Sequence, residues 1–233
     1  MVTKDIADLI ADSNWFQGVP TDAIQQLALS ATIKKYKKKS FLYKQGDVID
    51  DIYFIVSGKV RVSLNSSLKH QFNLNDFGPN KWVGEAGFIS QEPQLMELQF
   101  KEAADVLSLK CQAVHTLAKQ YPVIYYNILK EHDFRTRGTY QILKAILFNP
   151  LKSRLAGRIL YILQNLDINP DGSAYLDIKI SQSEFAHLTH GSRQHINKIF
   201  KKWNDEKIVF IKDNRYFIPD VERLKQEAYL MDE

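Results

Sequence analysis

The spacing of apolar residues changes character several times along this chain. Ile6, Leu9 and Ile10, then Ile24, Leu27 and Ala28 behind a cap at Thr21, fit two short helices. From Phe41 to about Leu109 the pattern is that of strands. Ile52-Tyr53-Phe54-Ile55-Val56, Val60-Arg61-Val62, Phe72 with Leu74, and Val106-Leu107 alternate with turn residues at Gln45-Gly46-Asp47, Ser57-Gly58, Asn65-Ser66-Ser67 and Phe77-Gly78-Pro79-Asn80. Short strands at such intervals predict a sandwich or jelly roll. Pro122 then opens, and Asn149-Pro150 closes, a long helical stretch carrying Ile124, Ile128, Phe134, Ile142, Leu143 and Ile146. A helix of that length suits the pairing of two subunits. The next segment, LKSRLAGRILYILQNL, is amphipathic, with Leu155, Ile159, Ile162, Leu163 and Leu166 on one side. A polar loop comes next from Asp167 to Ala174, then a strand from Tyr175 to Ile180.

The stretch SQSEFAHLTHGSRQHINKIFKKW, Ser181 to Trp203, predicts two helices joined by a tight turn. Ser181 and Glu184 have capping-box spacing, and Phe185, Ala186 and Leu188 supply an inward face. Thr189-His190-Gly191 offers the turn, with Gly191 free to take backbone angles that other residues resist, and Ser192 caps the second helix. In that helix Ile196, Ile199, Phe200 and Trp203 form a core stripe. Arg193, Gln194, Asn197, Lys198 and Lys201 are left for other faces. Such a face suits the DNA major groove, where arginine pairs with guanine and Gln or Asn with adenine. It also suits plain solvation, since capped helix pairs with basic outer faces are common. The runs Lys207 to Ile211 and Arg215 to Pro219 around Asp213-Asn214 predict a hairpin, a candidate wing. One more helix is expected after Pro219.

Composition narrows the choices. At 233 residues, 45% hydrophobic and 25% charged, the chain is an ordinary globular protein of one or two domains. No apolar run is long enough for a membrane span, and Asp5 and Asp8 flank Ile6 where a signal peptide would be basic, which points to the cytoplasm. Cys111 is the only cysteine, so an internal disulfide and a four-thiolate iron–sulfur cluster are excluded. The net charge of +4 is too small to argue for nucleic acid from the total. Lysines 34, 35, 37, 38 and 39 read as the charged edge of a strand.

SxxEFA, SRQHINKIFKKW and a hairpin ending in Pro219 together resemble the winged helix-turn-helix of the bacterial cyclic-AMP receptor/fumarate-nitrate regulator (Crp/Fnr) family of transcription factors. YKQGDVIDDIYFIVSGKVRV followed by WVGEAGFIS resembles the effector domain of the same family, and the two matches span about Trp15 to Pro219. The resemblance implies an α+β protein: a cyclic-nucleotide-binding-like β jelly roll over 1–120, a dimerisation helix over 121–149 and a winged helix-turn-helix over 150–233. It implies a homodimer on double-stranded, pseudo-palindromic DNA, half-sites about 34 Å apart, and it admits RNA polymerase as a further partner. The DNA-binding candidates are Ser181, Gln182, Ser192, Arg193, Gln194 and Lys198. Among them Arg193, Gln194 and Lys198 match the family's base-reading positions, while Ser181 and Gln182 lie near the sugar-phosphate backbone. His190 stands where the family usually has the turn glycine.

For the effector pocket the resemblance implies Gly84 and Glu85 in a phosphate-binding cassette, Gln94 and Leu95 near its far end, and Thr139 and Tyr140 from the long helix. The family completes the cassette with an arginine followed by Ser or Thr. This chain has Gln94-Leu95-Met96 there, and no arginine between Arg61 and Arg135. Losing one member of a buried charge pair costs about 2–5 kcal/mol, so a cyclic nucleotide is disfavoured as cofactor although Gln94 retains a neutral donor. Glu85 then reads as inherited or bonded to backbone groups. A metal-dependent cupin enzyme is the alternative of another class, but His70 and His115 lack paired ligand spacing. Haem bound through Cys111 or a histidine is a similarly weak alternative.

Overall fold

The computed structural model describes residues 6–66, 71–163, 168–176, 180–213 and 215–229. Asp5, Ser67, His70, Leu166, Asp167, residues 177–179 and Asn214, named above, lie outside these ranges. The chain divides into two compact units, Met1–Thr139 and Tyr140–Glu233. The division falls inside the long helix.

In the first unit, helices α1 (Ile6–Ala11) and α2 (Thr21–Ala28) precede eight strands: β1 (Thr32–Tyr36), β2 (Phe41–Tyr43), β3 (Asp51–Ile55), β4 (Val60–Asn65), β5 (Gln71–Phe77), β6 (Lys81–Val83), β7 (Glu97–Phe100) and β8 (Ala104–Lys110). They pair as two antiparallel sheets, β1-β8-β3-β6 and β2-β7-β4-β5, the expected β roll. The inner strands β3 and β8 of the first sheet are covered on both faces, which explains the unbroken apolar run at residues 52–56. Ile52, Phe54, Leu107 and Leu109 pack with Trp15, Phe16 and Ile24 of the helical layer, while Ile55, Val83 and Val106 face Val60, Val62 and Leu98 of the other sheet. Between β6 and β7 lies α3 (Glu85–Ser90), and after β8 come α4 (Cys111–Gln120) and the long α5 (Val123–Phe148). Strand β1 forms an edge of its sheet, with Lys34 and Lys35 exposed on it.

Several expectations need correction. Thr21 is the first helical residue and caps nothing; Pro20 holds the cap position, with no side-chain bond. Strands β2, β6 and β7 escape a reading by period, because three- and four-residue strands contain too few alternations to register.

The second unit contains the end of α5, then α6 (Leu151–Leu163), β9 (Ala174–Leu176), α7 (Gln182–Thr189), α8 (Arg193–Asp205), β10 (Phe210–Lys212), β11 (Arg215–Ile218) and α9 (Val221–Tyr229). Its core gathers Leu155 and Ile159 of α6, Phe185 of α7, Ile196 and Trp203 of α8 and Leu224 of α9, all fully buried. The sheet order is β10-β11-β9. The hairpin begins later than its apolar run suggests. Lys207 takes a left-handed conformation with φ 57° and the Ile208 N–H returns to the Trp203 carbonyl at 2.8 Å, a Schellman-type helix exit. Ile208 and Val209 therefore plug the core, and pairing starts at Phe210 opposite Phe217.

Candidate nucleic-acid interface and effector pocket

Helix α7 starts as the sequence dictates. The Glu184 N–H donates to Ser181 Oγ at 3.2 Å, and the Ser181 N–H donates to Glu184 Oε2 at 3.2 Å, a reciprocal capping box. Helix α8 is capped in turn, the His195 N–H donating to Ser192 Oγ at 3.2 Å. The turn between them differs from expectation. His190, not Gly191, adopts the left-handed conformation, φ 50° and ψ 50°, and the Gly191 N–H closes on the Ala186 carbonyl at 2.9 Å. Gly191 is needed for a different reason: a Cβ there would lie 2.6 Å from Leu151 Cδ1. The turn keeps its place and loads the conformational cost on the histidine.

With Ile196, Phe200 and Trp203 buried, α8 turns Arg193, Gln194, Asn197, Lys198 and Lys201 to solvent. Lys202 lies 3.7 Å from Glu206, whereas among the described residues no carboxylate pairs with Arg193 or Lys198. Two cations and two amide side chains, Gln194 and Asn197, are thus displayed within two turns of helix. Ser181 and Ser192 are exposed at the N-termini of α7 and α8, with Gln182 half-buried beside Ser181.

In the β roll, Gly84 takes φ 97° at the start of α3, a conformation that favours glycine. Glu85, the first residue of that helix, is held by Arg135 of α5: Nη1 donates to its Oε1 at 2.7 Å. The same guanidinium donates to Glu131 Oε1 at 3.0 Å and to the Trp82 carbonyl at 2.6 Å, and lies over the Phe77 ring at 4.8 Å. Glu85 is therefore not idle, and among the described residues its side chain bonds Arg135 rather than backbone. Two carboxylates surround one guanidinium, a net negative cluster whose side chains are about 16% exposed. Tyr43 borders it. Burial foremost, then the negative charge of Glu85, pushes that phenol well above its ordinary pKa, with Arg135 opposing.

The other pocket candidates each have surroundings of their own. Gln94 is buried; its backbone bonds Asp47 and Gly46, while its side-chain Nε2 has no hydrogen-bond partner among the described residues. Leu95 is 77% exposed. Thr139 donates to the Arg135 carbonyl within its own helix, and Tyr140 is 65% exposed. Sequence reasoning passed over Arg135, whose signal was its position as the first arginine after the gap that begins at Arg61. His115 serves the packing of α3 against α4. It stacks on Phe88 at 4.0 Å, and because the Phe88 carbonyl only accepts, the Nε2 at 2.8 Å must carry the hydrogen. Its Nδ1 lies 3.2 Å from the Tyr125 hydroxyl. Among the described residues no helix is long and apolar enough to cross a membrane.

Residues 33–121 match the cyclic nucleotide-binding domain family and residues 153–227 match the Crp-like helix-turn-helix domain family. The chain belongs to the Crp/Fnr family of transcription regulators. A relative in Mycobacterium tuberculosis, described as a CRP-like cAMP-activated global transcriptional regulator, is 23% identical over 221 residues, covering 95% of this chain and 99% of its own. Among solved structures, the c-di-GMP responsive global regulator CLP of Xanthomonas campestris superposes with a TM-score of 0.74 at 17% identity, covering 85% of this chain and 99% of its own. A mutant of CooA from Carboxydothermus hydrogenoformans gives a TM-score of 0.74 at 17% identity, with 94% and 97% covered. As a member of a regulator family the chain is not an enzyme, which removes the cupin alternative.

Proposed function

We propose that this Crp/Fnr regulator is a homodimer that reads a pseudo-palindromic operator with α8, and that its effector pocket is altered away from cyclic AMP. The observation that carries the DNA reading is the displayed face of α8, where Arg193, Gln194 and Lys198 are exposed on a helix capped at Ser192 and anchored by buried Ile196, Phe200 and Trp203. Dimerisation is supported by exposed Tyr126, Leu129, Tyr140, Leu143 and Leu147 of α5, which recur at heptad-like spacing. RNA polymerase enters as the further partner, and the location is cytoplasmic. The division of labour is that expected from sequence, with 1–120 sensing, 121–149 dimerising and 150–233 binding DNA.

Two features argue against cyclic AMP. The cassette has no arginine of its own, and the guanidinium that reaches Glu85 is matched by two carboxylates, so little positive charge remains for a phosphate. At about 1.4 kcal/mol per decade, the missing pair corresponds to roughly 30-fold or more in affinity. A cyclic-nucleotide-gated regulator is the second reading, favoured by the guanidinium itself, which Arg135 brings 2.7 Å from Glu85.

Selection of duplexes from a randomised pool by the purified protein tests the DNA reading. The expected product is a two-fold symmetric site with half-sites about one helical turn apart; recovery of no sequence preference would reject it.

A further inference from the structure

Near the start of α6, Arg154 makes contacts that neither the DNA interface nor the effector pocket accounts for. Its guanidinium donates to four backbone carbonyls and, among the described residues, to no carboxylate. Nη1 reaches the Ile146 and Asn149 oxygens at 3.2 and 3.1 Å. Nε reaches the Thr189 oxygen at 3.0 Å and Nη2 the His190 oxygen at 3.4 Å. The first pair belongs to the exit of α5 and the second to the exit of α7. The last carbonyls of a helix lack intrahelical donors and carry the negative end of its dipole. At Ile146 the deficit is built into the sequence, because the residue four places on is Pro150, which has no N–H. Arg154 supplies the absent donor, and with the other edge of the same plane it holds the turn that leads into α8. Burial lowers its pKa, so the carbonyls are what keep the cation there.

Leu151, one turn earlier on α6, grips the same turn from beside Gly191, where even a Cβ would collide with it. Residues 189–191 are thus held by α6 through Arg154 and Leu151, and Ser192, the cap of α8, comes next. We propose that Arg154 is a positioning residue for DNA binding: it fixes the start of the DNA-reading helix to the end of the long helix. The inference rests on reading α8 as the DNA-contacting helix. A lysine cannot replace it, since one ammonium nitrogen cannot span four acceptors arranged around a planar fork.

The test uses the full-length protein and its Arg154→Ala and Arg154→Lys variants, Lys being retained in case Ala fails to fold. The probe is a fluorescent duplex selected by the unaltered protein from a random pool, titrated well below the melting temperature across a range of salt. Both variants are expected to bind at least about tenfold more weakly. The slope of log affinity against log salt should be unchanged, because a lost phosphate contact would reduce it by about 0.9 and Arg154 is assigned none. Backbone amides of residues 191–195 should exchange hydrogen faster in both variants. Unchanged affinity would overturn the proposal, as would rescue by lysine, and a reduced salt slope would make Arg154 a phosphate contact instead. If the unaltered protein selects no duplex, the DNA reading fails by itself. Amide exchange at 191–195 then decides whether Arg154 positions α8, unchanged exchange overturning it.

Discussion

Arg193 and Arg135 carry the same side chain into opposite surroundings. Arg193 stands in solvent on α8 with no acidic partner among the described residues. Arg135 is enclosed by Glu85, Glu131, the Trp82 carbonyl and the Phe77 ring. A displayed charge is available to a partner and contributes little to the fold. An internally matched charge does the reverse, holding α3 to α5 and leaving little of itself for a partner. Where arginines sit relative to carboxylates therefore separates a binding surface from a structural joint better than their number does.

The contrast makes graded predictions. Arg135→Ala should have the largest effect, leaving two carboxylates facing each other and costing about 3–5 kcal/mol of stability, seen as a lower midpoint in urea denaturation. Glu85→Gln should cost less, because Glu131 and the Trp82 carbonyl still hold the guanidinium. Arg193→Ala should leave the denaturation curve within about 0.5 kcal/mol, yet weaken operator binding by about 1–3 kcal/mol and relax preference at one base. Equal loss on every duplex would show a phosphate contact instead.

The turn between α7 and α8 carries the same comparison to a smaller scale. Gly191→Ala should cost about 1–3 kcal/mol by overpacking against Leu151, whereas His190→Gly should stabilise by up to about 1 kcal/mol by relieving the left-handed histidine. Thermal melts of the two variants should move in opposite directions; movement the same way would contradict the assignment of strain to His190 and contact to Gly191.

The smallest effect concerns Cys111, a buried thiol on which two nearby carboxylates outweigh the opposing charge of Lys110. Burial first, then Asp50 and Asp51, pushes its thiol up to about 11 from 9.0. The folded state therefore favours the protonated thiol. Its contribution to stability is present below pH 9 and is lost as the pH rises toward 11. A Cys111→Ala variant should show a shallower fall in stability across that window.

How much the sequence reveals depends on how local the causes are. The capping boundaries at Ser181 and Ser192, the buried stripe of α8 and the β-rich middle each depend on neighbours a few residues away, and a one-dimensional pattern carries them. The Glu85–Arg135 pair spans 50 positions, and no periodicity links its members. The cassette has no arginine of its own, and the guanidinium beside Glu85 arrives from another element. Arg154 was hidden differently: it sits in a clearly amphipathic helix, but its partners are backbone carbonyls, which have no residue code. Likewise Thr21 satisfies a capping rule by residue type, but it is already helical, and Pro20 at the cap position makes no side-chain bond.

Calorimetric titration of the purified protein with cyclic AMP, after mass spectrometry has excluded a co-purified ligand, addresses the altered pocket most directly. No saturable heat at micromolar to submillimolar nucleotide is expected, with operator binding unaffected by the nucleotide. Stoichiometric binding at micromolar strength would contradict it and would mean that Arg135 leaves its carboxylates to meet the phosphate.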